Sequence, residues 1–119
     1  MKLLTNEQHT QLLANGRAQR HAIRTNQSAL DFIPVAKLFT PDAGGTWLLT
    51  ELDPEEPDLA FGLCDLGLGA PELGYVRLSE LESLRGPMGL PIERDLYFDA
   101  DSPISAYAAE AHRVGRLVT

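Results

Sequence analysis

Between Pro34 and Leu78 the chain alternates short apolar runs with clusters of turn-forming residues, and no run is long enough for an amphipathic helix. "PVAKLF" (Pro34 to Phe39), "TWLLTEL" (Thr46 to Leu52), "LAFGLCDL" (Leu59 to Leu66) and "GYVRL" (Gly74 to Leu78) read as strands. "PDAGG" (Pro41 to Gly45) and "DPEEPD" (Asp53 to Asp58) fall between them and read as turns. Strands joined by links this short run antiparallel, because a parallel neighbour needs a crossover of a dozen residues or more. The third run is apolar on both faces, which predicts a strand central in its sheet.

The flanks carry helical signals. Thr5 and Gln8 have capping-box spacing and predict a helix to about Asn15, with Gly16 ending it. The following "RAQRHAIRTNQSALDF" fits either a further helical turn or a loop. Ser79 and Glu82 repeat the capping-box spacing ahead of Gly86 and Pro87, and "PIERDLYF" (Pro91 to Phe98) alternates like an edge strand. Ile104, Tyr107, Ala108 and Ala111 recur at one helical face, with Asp101 and Ser102 as caps and Gly115 as the stop. The fold expected is α+β: an antiparallel meander sheet of about five strands, with an N-terminal helix, a short helix and a C-terminal helix packed on one side. Residues 1–119 are expected to form a single domain.

Charge narrows the function classes. The formal net charge is −7 over 119 residues, against binding of nucleic acid or anionic membrane by the whole surface. Its distribution is uneven. The first forty residues have five basic groups (Lys2, Arg17, Arg20, Arg24, Lys37) and two acidic ones, whereas the remainder has five basic and fifteen acidic groups. No apolar run approaches the roughly 20 residues that span a bilayer. The N-terminus lacks the apolar stretch of a signal peptide, and the single cysteine allows no internal disulfide. A cytoplasmic location is expected.

Five groups of residues are candidates for chemistry. Cys64 stands beside Asp65, a neighbour that raises a thiol pKa, and strand alternation parts their side chains, so a structural cysteine is expected. Gly67, Gly69 and Gly74 fail the dinucleotide fingerprint because Glu72 sits where its third glycine belongs, and a bend or positive φ is expected instead. Neither the scattered histidines nor the acid cluster Glu51, Asp53, Glu55, Glu56 and Asp58 has metal-ligand spacing, and no metal or cofactor is expected. That cluster is the candidate contact for a partner. Asp65 and Glu72 flank the glycine turn and are the candidate pair for acid–base work. Arg17, Arg20, His21 and Arg24 share one face if helical, and the three arginines are the candidate phosphate contacts.

The segment from "KLFTPDAGG" to "PIERDL", and above all "GLCDLGLGAPELGYV" within it, resembles the bacterial family of unknown function DUF2958. The resemblance implies an accessory role for mobile DNA, since such small proteins are often encoded on plasmids and integrative elements near conjugation genes. It carries over no activity, cofactor or catalytic residue. The expected function is therefore that of a non-enzymatic, protein-binding accessory factor, an acidic modulator of host defence or DNA transfer. The alternatives are an enzyme with its site at Asp65 and Glu72, and a nucleic-acid binder using Arg17, Arg20 and Arg24.

Overall fold

The computed structural model describes residues 3–119, so Lys2 lies outside them. Helix α1 spans Asn6–Arg24 and opens with the expected capping box: Gln8 N–H donates to Thr5 Oγ1 and Thr5 N–H donates to Gln8 Oε1, both at 3.0 Å. It does not end at Gly16. A Cβ there would collide with the Leu52 carbonyl, so glycine serves the close approach of helix to strand, and α1 continues through the basic segment. It stops where Asn26 takes the left-handed conformation, φ 61°.

Strands β1 (Ala36–Phe39), β2 (Thr46–Leu52), β3 (Leu59–Asp65) and β4 (Glu72–Arg77) form the meander, and β5 (Glu93–Arg94) adds to the far side of β1. The sheet is antiparallel throughout, in the order β4-β3-β2-β1-β5. Strand β3 is interior, as its apolar run requires, though β2 holds the middle. The expected fifth strand shrinks to Glu93 and Arg94, with Ile92 turned into the core before them and one further bond to β1, from Asp95 N–H to the Lys37 carbonyl, after them.

Helices cover both faces of the sheet rather than one. Register places Ala36, Leu38, Trp47, Leu49 and Ala60 on one face, where they pack with Leu12 of α1 and with Leu81 of α2 (Leu78–Ser83). Leu48 and Leu63 point to the other and pack against Ile104, Ala108 and Ala111 of α3 (Ile104–Val114). The leucines at 12, 38, 48, 49, 52, 63 and 81 are fully buried, each worth roughly 1.5–3 kcal/mol relative to exposure.

Both later helices are capped from far away in sequence. Helix α2 begins at Leu78, with Ser79 inside it, so the expected local box at Ser79 does not form. Asp58 supplies the cap, accepting Ser79 N–H at 2.9 Å and Ser79 Oγ–H at 2.6 Å. Neither Asp101 nor Ser102 caps α3. Asp31 does, accepting the N–H and hydroxyl of Ser105, and Ile104 N–H bonds to the Phe32 carbonyl at 2.8 Å. Through these caps the β2–β3 turn anchors α2 and the coil after α1 anchors α3.

Candidate functional site

The extension of α1 to Arg24 aligns Arg17, Arg20, His21 and Arg24 along one face, and the β2–β3 turn brings acids to meet it. Arg20 reaches Asp53 at 3.0 Å and Glu55 at 2.5 Å, while Arg24 lies 3.6 Å from Glu55. On the turn's other side, Arg77 of β4 pairs with Glu56 at 2.8 Å and Asp58 at 3.8 Å. Arg20 and Arg24 of the basic stripe thus meet Asp53 and Glu55 of the acidic cluster, two features that were separate candidates in the sequence, while Glu56 and Asp58 of the cluster pair with Arg77. These are exposed or half-exposed pairs, worth at most about 1 kcal/mol each, so they orient the turn more than they stabilise it.

Several of these acids also hold backbone. Asp53 Oδ1 accepts Glu55 N–H at 2.8 Å, which with further bonds and the Arg20 charge holds its carboxyl below the usual range. Asp58 is lowered chiefly by its bonds from Ser79, with Arg77 assisting. Glu51 moves the other way. Half-burial pushes its carboxyl up, partly countered by a hydrogen bond from Gln19 Nε2 at 3.4 Å. Glu55 and Glu56 are the cluster members whose carboxylates face solvent most fully.

Asp65 and Glu72 are not brought together. Glu72 pairs in register with Cys64, so it shares that residue's face, and Asp65 lies on the opposite one. Asp65 is buried on the α3 side, where Oδ1 accepts Gly67 N–H and Oδ2 accepts Leu117 N–H, each at 2.8 Å. Both oxygens serve the turn and the C-terminal segment, and Glu72 is exposed. Cys64 packs against the α1-side core, and burial raises its thiol pKa. Among the described residues no three His, Cys, Asp or Glu side chains gather as metal ligands, and no helix is long and apolar enough to cross a membrane.

The glycine turn after β3 has another property. Gly67 and Gly69 take positive φ, 80° and 83°, and Gly67 lies against Gly44 of the β1–β2 turn. From that same turn, Asp42 Oδ2 accepts Met88 N–H at 2.7 Å and fixes the loop after α2. Three loops therefore meet at one end of the sheet. They expose Leu66 (60%), Leu68 (81%), Met88 (79%) and Leu90 (43%). The turn residues were legible in the sequence, but the outward aim of these side chains was not, because alternation says nothing beyond a strand's end.

Surface concavities are open and modest. One of about 260 Å³ gathers Arg17, Arg20, His21 and Arg24 with Pro54 and Glu55. A second, of about 470 Å³, combines Lys37, Asp95, Tyr97, Asp99, Asp101 and Tyr107. There Lys37 Nζ is held by Thr119 Oγ1 at 2.6 Å and Asp95 at 3.5 Å, and Tyr107 donates to Asp101 at 3.1 Å. Neither cleft includes Asp65 or Glu72, and neither joins a nucleophile to a base.

No curated protein and no solved structure matches the chain. The family model described as "Protein of unknown function (DUF2958)" matches residues 3–118, and the chain belongs to that family.

Proposed function

We propose that the protein acts by binding another protein, as a cytoplasmic accessory factor of mobile DNA, and not by catalysis. The observation that carries this reading is the loop cluster. Leu66 and Leu68 project from the β3–β4 turn and Met88 and Leu90 from the loop after α2, two loops held to the β1–β2 turn by the Gly44–Gly67 contact and by Asp42, and none of the four is buried in the core. Large apolar side chains held outward are characteristic of protein interfaces. The net charge of −7 favours a basic partner surface, and Glu55 and Glu56 extend the acidic contact the sequence suggested. A restriction or immunity enzyme with a nucleic-acid-binding surface has that character. The mobile-DNA setting comes from the family resemblance.

Co-purification from the native host tests the reading. Wild type is expected to retain a partner that Leu68→Asp loses at unchanged circular dichroism and Tm. Glu55→Gln with Glu56→Gln is expected to flatten the salt dependence of that retention. Equal recovery by wild type and Leu68→Asp would reject the loop surface as the contact.

One observation favours a second reading. Arg17, Arg20, His21 and Arg24 line a common cleft, the arrangement a phosphate backbone requires. Glu55 already occupies part of it. Gel-shift binding that falls steeply with salt and is lost in Arg17→Ala would favour nucleic acid over protein.

A further inference from the structure

The two edges of the sheet are built differently. Strand β5 is two residues long and bears one charge of each sign, Glu93 and Arg94. That is how natural sheets blunt an edge. Strand β4 is six residues long, has no lysine, proline or bulge, and keeps uninterrupted register with β3 from Glu72 to Arg77.

Two backbone bonds establish which of its groups point outward. Leu78 N–H donates to the Asp58 carbonyl at 2.8 Å, so even-numbered positions of β4 face β3. Asp53 N–H donates to the Leu59 carbonyl at 2.9 Å, which turns Leu59 toward β2 and makes Leu59–Arg77 a non-bonded pair. The outward groups are therefore the N–H and C=O of Leu73 and Tyr75 and the N–H of Arg77, whose carbonyl instead accepts the first bond of α2. Among the described residues, no loop or side chain takes these groups up.

The side chains at these positions suit a sixth strand. Leu73 and Tyr75 are largely exposed, and Tyr75 already stands edge-on to Phe61 of β3, with ring centroids 5.0 Å apart. Phe61 is the register partner of Tyr75, so this aromatic pair reaches the open edge. Charge selects the occupant. Glu72 lies at one end of the strand. At the other, Arg77 is surrounded by Glu56, Asp58 and Glu80. Four carboxylates against one guanidinium, in a chain of net charge −7, repel a second copy and attract a basic segment.

We propose that the open edge of β4 takes an extended segment of a partner protein, apolar at alternate positions and flanked by lysine or arginine, as a sixth strand of the sheet. This rests on the protein-binding reading above and names the partner's chemistry. Main-chain bonds from Leu73, Tyr75 and Arg77 supply affinity, the Leu73–Tyr75 surface takes the apolar side chains, and the carboxylates at both ends take the cations.

The test is an NMR titration of the amide-labelled full chain with two blocked nine-residue peptides of alternating valine and threonine, one ended by lysines and the other by glutamates. The lysine-ended peptide is expected to shift the amide signals of Leu73, Tyr75 and Arg77, about tenfold more tightly than its counterpart and less so at high salt. Leu73→Pro and Tyr75→Pro are expected to abolish the response without disturbing the β3 ladder, since their N–H groups do not serve it. Tyr75→Lys, which keeps every backbone group, is expected to weaken it at least tenfold. No shift at these amides, or equal response to both peptides, overturns the proposal. So does a dimer by sedimentation in which these amides resist exchange, for then a second copy holds the edge. If the peptides leave β4 untouched while Leu68→Asp still loses the partner, the edge proposal falls and the protein-binding reading stands.

Discussion

Asn15 of α1 donates its Nδ2–H to the Thr50 carbonyl of β2 at 2.9 Å, and this bond takes over where the sheet runs out. Strand β1 pairs with β2 only as far as Leu49, apart from the Val35 N–H bond to the Leu49 carbonyl. Beyond that point a buried side chain replaces a strand partner. Gln11 Nε2 holds Asn15 in place by donating to its Oδ1 at 2.8 Å. Asn15→Ala is expected to cost about 1–3 kcal/mol, the usual penalty for orphaning a buried acceptor, measured by urea unfolding. Asn15→Asp should cost more, because a carboxylate would then face the carbonyl.

Gly16 separates two explanations of a helical glycine. Were it an unobstructed interior position, alanine would be harmless or better, since helix interiors prefer alanine to glycine by about 1 kcal/mol. The Leu52 carbonyl occupies the space a Cβ would need. Gly16→Ala is therefore expected to destabilise by more than 2 kcal/mol, despite the gain in propensity, as helix and strand are forced apart. Thermal unfolding followed at 222 nm reads this directly.

The carboxylates in and beside the β2–β3 turn respond to acid with opposite signs. Asp53 and Asp58 have folded pKa values below their ordinary 3.8, so they stabilise the fold above that pH and the contribution is lost as pH falls through the folded values. Glu51 has a folded pKa above its ordinary 4.5, chiefly from burial, so its charge opposes folding above the folded pKa and the opposition disappears as pH falls through it. Glu51→Gln is expected to raise Tm at pH 7, with the gain shrinking toward pH 4.5. Asp58→Ala, which removes the α2 cap, is expected to lower Tm by a few degrees at pH 7, with the gap narrowing below pH 3.8. Tm profiles from pH 3 to 7 distinguish the two.

The meander was legible because each strand from Ala36 to Arg77 is bounded by proline, glycine or acidic turn residues, a signal carried by neighbours in sequence. What escaped depended on distant partners. Gly16 resembles a helix stop until Leu52 is placed against it. Ser79 resembles a cap until Asp58, 21 residues earlier, takes that role. The arginines of α1 were readable as one face, but their acidic partners lie on the far side of two strands. Asp31 and Asp42, which anchor α3 and the loop after α2, sit among turn-formers and carry no local mark of what they hold.

Asp42 gives the sharpest test of whether the exposed loop surface is a fixed object. Its Oδ2 accepts Met88 N–H at 2.7 Å and lies 3.5 Å from Leu90 N, while Gly86 packs so closely that a Cβ there would strike the carboxylate. The β1–β2 turn thereby grips the loop carrying Met88 and Leu90, just as its Gly44 abuts the loop carrying Leu66 and Leu68. Asp42→Ala is expected to cost about 1–2 kcal/mol overall, the range for removing a cap-like acceptor. Its larger effect should be local: faster amide exchange at Met88 and Leu90, with Leu63 and the rest of β3 unaffected. If the loop surface binds as a preformed unit, the same variant weakens partner retention although neither Leu68 nor Met88 has changed. Unchanged retention alongside faster exchange at Met88 would confine the contact to the Leu66–Leu68 side of the cluster.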